Sequence, residues 1–166
     1  MYYYGAMTRI PRLAAALVLL LGCATPARAD ITAFLGANTT PDSRQVRGGA
    51  VEFGFIVIGV ELEYAYTPDN PAAAAPSLKT GTGNLLLQTP VAIFGFQPYF
   101  TTGGGFYQEE LGLHSDTGFA LNTGGGVKVS LAGPLRVRID YRVFKLGSGA
   151  LYSPSHRIYA GLNLKF

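Results

Sequence analysis

His114, Ser115 and Asp116 follow one another in a polar stretch, and Ser155 and His156 form a second such pair near the end of the chain. A serine hydroxyl, an imidazole to take its proton and a carboxylate to orient the imidazole are the parts of a nucleophilic hydrolase. Such a set works by geometry, and adjacent residues of a strand point to opposite faces, so closeness in sequence does not assemble it. The plainer reading of these five residues is solvated turn chemistry. No grouping of His, Cys, Asp and Glu has metal-ligand spacing, and no phosphate loop or redox motif is present, so no cofactor is expected.

A larger set of ionisable residues is ordered by period two. In LRVRIDYRVF, Leu135, Val137, Ile139, Tyr141 and Val143 share one face and Arg136, Arg138, Asp140 and Arg142 the other. GVELEYAY sets Val60, Leu62, Tyr64 and Tyr66 against Glu61 and Glu63; VEFGFIV sets Val51, Phe53, Phe55 and Val57 against Glu52 and Gly54. On the polar face Lys128, Arg136, Arg138, Arg142, Arg157 and Lys165 nearly balance Glu52, Glu61, Glu63, Glu109 and Asp140. An enclosed ion-pair network needs such balance and a solvated face does not, so these eleven residues are expected to form an interior charge network. Arg44 and Lys79 are assigned to loops.

Eight strands must carry these faces: about 30 to 38, 48 to 57, 59 to 67, 81 to 89, 96 to 110, 117 to 131, 135 to 146 and 156 to 166. Their links alternate. TTPDSRQVR, PDNPAAAAPSLKTG, LGLHSD and GSGALYSPS are polar or rich in Pro, Gly and Ser, whereas those near VI, PVAIFG and AGP are short. No segment calls for a helix. The apolar positions change from odd to even between Val57 and Val60, which requires a turn near Ile58 and Gly59. The two GGG runs suggest a hairpin centred between His114 and Ser115, with Gly103 to Gly105 opposite Gly124 to Gly126. That register gives one face to Gln97, Tyr99, Thr101, Tyr107, Glu109, Asn122, Lys128 and Ser130. The other face receives Phe96, Phe100, Phe106, Phe119, Leu121, Val127 and Val129. The opposed glycines could leave a shallow groove on the lipid side for an acyl chain or partner; the favoured expectation is that they let a narrow barrel bend and make room inside for Tyr99 and the arginines.

The N-terminus reads as processing sequence. Arg9 and Arg12 precede the apolar run Leu13 to Leu21, and Ala27, Arg28 and Ala29 form an A-x-A cleavage site before Asp30. Residues 1-29 are therefore expected to be a cleaved signal peptide and 30-166 the mature domain, with translation starting at Met7. LLGC before Cys23 resembles the lipobox of bacterial lipoproteins, but lacks the usual small residue two before the cysteine. Of 13 Lys and Arg residues three leave with the signal, so the basic remainder equals the 10 acidic residues and gives no footprint for nucleic acid.

Strands of this length with an apolar face suit either a soluble sandwich or barrel, greasy side inward, or a membrane barrel turned inside out. The loop alternation and the balanced polar face favour the second. The ending YAGLNLKF resembles the C-terminal β-signal of bacterial outer-membrane barrels, and FQPYFTTGGGFY resembles the PY…G.G.G strand of the small OmpX-like and OmpA-like eight-stranded proteins. The resemblance implies an all-β, eight-stranded antiparallel transmembrane β-barrel in the outer membrane of a Gram-negative bacterium. It also implies Tyr159, Leu162, Leu164 and Phe166 as an assembly signal read by the barrel-assembly machinery, with periplasmic chaperones as escorts. Outer-membrane lipids and lipopolysaccharide are the implied surroundings, and a monomer the implied state. Departures from the pattern are the missing tryptophan, the small outer loops and GNLLLQTP, which does not alternate cleanly.

Eight strands enclose an interior filled by side chains, so no open pore is expected. With no peptidoglycan-binding domain after Phe166, a wall tether is not expected either. What remains is a structural or surface-interaction protein. The alternatives are an outer-leaflet lipid A hydrolase, as some barrels of this size are, and a secreted soluble ligand-binding domain.

Overall fold

Alternation of β-branched and aromatic residues with charged ones builds eight strands in the computed structural model, which describes residues 28–166. The expected signal peptide, with Met7 and Cys23, lies outside the described residues except for its last two positions. The strands are β1 (Arg28–Asn38), β2 (Arg44–Phe55), β3 (Ile58–Thr67), β4 (Ser77–Gln88), β5 (Phe96–Leu111), β6 (His114–Ala132), β7 (Leu135–Lys145) and β8 (Ser155–Lys165). Each pairs antiparallel with its sequence neighbours, and β1 closes on β8, giving a closed barrel without a free sheet edge.

The closed sheet sends its charges inward and its apolar residues outward. Glu61, Arg138 and Arg142 are fully buried, while Leu62 is 62% and Phe106 70% exposed. A soluble β-domain would show the reverse. The belt continues through Phe53, Leu85, Phe100, Phe119, Ile139 and Leu162. GNLLLQ alternates after all, with Leu85 and Leu87 outward and Leu86 buried inside.

Several local expectations are corrected. β2 begins at Arg44 and β4 at Ser77, because the period-two pattern runs on through residues assigned to loops. Arg44 is consequently an inward side chain, 7% exposed, and Lys79 lies within β4. The β2–β3 turn sits at Ile56 and Val57, two residues earlier than expected, and Ile56 takes the left-handed φ of 33° that its position demands. Pro71–Ala73 form one 3-10 turn, stopped by Ala74.

The β5–β6 hairpin turns at Gly112 and Leu113, so Gly103 pairs with Asn122 and Gly126 with Tyr99. The two glycine runs are therefore offset by four residues. An even offset preserves the faces, and the interior set stands; Ser130, opposite inward Arg136, is exposed because it lies near the end of β6. The offset also leaves LGLHSD mostly within strands. A Cβ would come within 2.5 Å of the Tyr99 hydroxyl at Gly126 and 3.0 Å of the Arg142 Cγ at Gly124, and at both within 2.1 Å of a β7 carbonyl, so close strand approach and bulky interior groups together require glycine.

Candidate functional site

The interior is the largest assembly of ionisable groups, and strand parity puts each of them there. At the end bearing the short turns, Lys128 Nζ of β6 lies 2.7 Å from Glu52 Oε2 and 3.2 Å from Asp30 Oδ2. Arg136 pairs with the same Asp30, donates Nε–H to Asn163 Oδ1 at 2.8 Å and Nη1–H to Gln97 Oε1 at 3.0 Å. Lys165 stands half-buried beside Asp30 in the ladder.

Halfway along the barrel, Arg138 and Arg142 share Glu61 and Asp140. Arg138 pairs with Glu61 and reaches Asp140 Oδ2 at 3.0 Å; Arg142 lies 2.8 Å from Glu61 Oε1 and 2.9 Å from Asp140 Oδ1. Tyr99 accepts the Arg138 Nε–H at 2.7 Å and donates its hydroxyl to Asp140. Glu63 then bridges Arg142, at 3.3 Å, to Arg157, at 2.9 Å, and Arg157 donates to Thr80 Oγ1 at 2.9 Å. The Arg157 guanidinium also lies 4.2 Å from the Phe144 ring centroid. Charges that would each cost several kcal/mol if buried alone thus share partners across the lumen.

Above this network, at the end bearing the long loops, Leu78, Tyr107, Ala120, Phe144 and Leu146 form an apolar plug. Glu109, expected in the interior network, accepts the Leu151 N–H at 2.7 Å and lies 3.0 Å from His114 Nε2, so it ties the β7–β8 loop rather than the central cluster. Arg44 acts similarly: it donates Nη1–H to the Pro68 carbonyl at 3.1 Å and to the Pro76 carbonyl, and Nη2–H to the Thr40 carbonyl at 3.0 Å. One buried guanidinium clamps two loops.

Sequence reading missed Asp30, Arg44 and Tyr159 as interior groups. Their parity was the available signal, since Asp30 aligns with buried Thr32 and Arg44 with buried Val46. Tyr159 faces inward, stacked on Phe34 with centroids 4.0 Å apart, whereas Leu162, Leu164 and Phe166 face outward.

The hydrolase-like residues are not brought together. Ser155 donates its hydroxyl to Asn38 Oδ1 at 3.0 Å, His156 Nδ1 lies 2.8 Å from the Tyr141 hydroxyl on the outer surface, and Asp116 accepts from Tyr107. Among the described residues no cluster of His, Cys, Asp and Glu could hold a metal ion.

No protein-family model and no curated protein matches the chain. Solved structures do. The N-terminal β-barrel domain of Pseudomonas aeruginosa OprF aligns with a TM-score of 0.65 at 14% identity, covering 84% of this chain and 97% of that one. Neisserial surface protein A aligns at 0.62 and 14% identity, covering 84% and 96%. Ail, the attachment invasion locus protein of Yersinia pestis, solved with a heparin analogue, aligns at 0.57 and 10% identity, covering 84% and 99%. The closed antiparallel sheet, its inward charges and these alignments give one conclusion: the chain has the fold of the small eight-stranded outer-membrane barrels.

Proposed function

We propose that the protein is an integral barrel of a Gram-negative outer membrane, with a structural or surface-interaction role rather than a transport one. The observation that carries this is the inversion of the sheet: a continuous outward belt of Leu, Ile, Val and Phe around an interior of ion pairs. Water would be a poor solvent for that belt, and hydrocarbon a good one, provided every backbone group is paired, as closure ensures. The lumen supports no diffusion path, because the Glu61, Arg138, Asp140 and Arg142 cluster spans it and the apolar plug stops one end. With the strand termini Arg28 and Lys165 on the periplasmic side, the four links that Arg44 and Glu109 help to order face outward and are the surface available for contacts. Leu162 and Leu164 of β8, with Phe166 just beyond it, form the outward strip that the assembly machinery would read.

Membrane fractionation with a heat-modifiability gel tests the reading. The protein should partition with outer membranes and migrate differently before and after boiling. A soluble periplasmic protein without a heat shift would overturn it.

A further inference from the structure

The outward belt carries several depressions, and the one across β3, β2, β1, β8 and β7 is a groove of about 880 Å³, against about 380 to 450 Å³ for three others. Small residues, Ala33 and Ala160, line it together with the larger Leu35, Tyr64 and Leu162, and it reaches Val137 on β7. The groove runs obliquely. Arg47, on its rim, is three residues from the loop end of β2, whereas Val137 is two from the opposite end of β7.

The rim is cationic, which an apolar belt does not require. Arg47, Tyr66 and Lys79 occupy one ladder row on β2, β3 and β4, all outward, with neighbouring strands roughly 5 Å apart. The Arg47 guanidinium lies 5.5 Å over the Tyr66 ring. Neither Arg47 nor Lys79 pairs with a carboxylate among the described residues, and the outward carboxylate nearby, Glu110, accepts from Gln108 at 2.8 Å. Arg136, Arg138, Arg142 and Arg157 in the lumen are matched by acids, and Arg44 by three carbonyls; these two cations at the edge of the greasy belt have neither.

We infer that the Arg47, Tyr66 and Lys79 row, with the groove below it, is a binding site for a bisphosphorylated acyl glycolipid, the lipid A of the outer leaflet. Phosphates meet Arg47 and Lys79, and one acyl chain descends the groove towards Val137. Two unpaired cations separated by one strand suit a headgroup with two phosphates; a glycerophospholipid has one phosphate and engages only one of them. Arg47 offers a planar fork to a phosphate while its other face stays stacked on Tyr66. The site rests on the membrane reading above and deepens it.

The test uses purified, folded protein in detergent and native mass spectrometry of retained lipid, with bisphosphoryl lipid A, its dephosphorylated form and phosphatidylglycerol as probes. Bisphosphoryl lipid A should be retained about tenfold better than either of the others, the effect of one charge-assisted contact. Arg47→Gln and Lys79→Gln should each remove most of that preference, and Ala33→Phe should cut retention of bisphosphoryl lipid A by blocking the groove. Phe119→Leu, on a distant part of the belt, should change nothing. All four positions face outward, and an unchanged heat shift verifies folding of each variant. Equal retention of the three lipids, or indifference to Arg47→Gln, would overturn the site even if the protein fractionates with outer membranes. A protein absent from those membranes would instead overturn the parent reading.

Discussion

Glu63→Gln should destabilise the barrel more than Glu61→Gln, although both carboxylates are buried among arginines. Neutralising either leaves uncompensated charge in the interior, which costs about 3 to 5 kcal/mol. What separates the two is what each arginine retains. Without Glu61, Arg138 keeps Asp140 and Tyr99, and Arg142 keeps Asp140 and Glu63, so the loss should fall near the lower figure. Without Glu63, Arg142 keeps two acids, but Arg157 keeps only the neutral Thr80 hydroxyl and the Phe144 ring, so the loss should approach the upper one. Glu110→Gln, exposed and hydrogen-bonded only to Gln108, is the control and should stay within about 0.5 kcal/mol. Urea unfolding in lipid vesicles, followed by the heat-shifted folded fraction, measures all three. Equal small losses at Glu61, Glu63 and Glu110 would mean that the interior is wet. A larger loss at Glu61 than at Glu63 would refute the reasoning from shared partners.

Arginine placed mid-strand on the outward belt, as Leu62→Arg or Ile139→Arg, should cost about 2 to 4 kcal/mol. Labels at the same positions should be quenched by lipid-borne probes; protection from both lipid and water quenchers would contradict a membrane-facing belt. Arg44→Ala strands the carbonyls of Thr40, Pro68 and Pro76, so the β1–β2 and β3–β4 loops should become protease-sensitive in the folded barrel while the heat shift persists. Unchanged cleavage would show that Arg44 clamps nothing. Phe166→Ser should spare export across the inner membrane and impair assembly, read as a smaller heat-shifted fraction in outer-membrane extracts, whereas Lys165→Gln should do much less; normal assembly of Phe166→Ser would remove the proposed strip from the assembly step.

Period-two alternation determined which face every strand residue occupies, because a side chain's face depends only on whether its position is odd or even. Glu52, Glu61, Glu63, Lys128 and Arg138 could therefore be placed on a common polar face without knowing a single strand partner. For the same reason parity constrains register only to multiples of two. The β5–β6 hairpin shows the consequence, since its turn lies at Gly112 and Leu113 while every interior residue keeps its face. Near the loops the sequence signal weakened, because polar and proline-rich composition masked the continuing alternation at Arg44 and from Leu78 onward.

Only closure of the sheet decided which charges meet. Glu61 and Arg138 are 77 positions apart, and Lys128 and Asp30 are 98 apart; each pair faces across the lumen from strands that are not neighbours. Such contacts depend on the strands' stagger around the ring, a global quantity no local pattern encodes. The same stagger brought Ala33 and Ala160 beneath Arg47 to form the groove, while it left Ser155 bonded to Asn38 and His156 to Tyr141. Sequence alone assigned the charges to an interior face, and the geometry of closure gave them their partners.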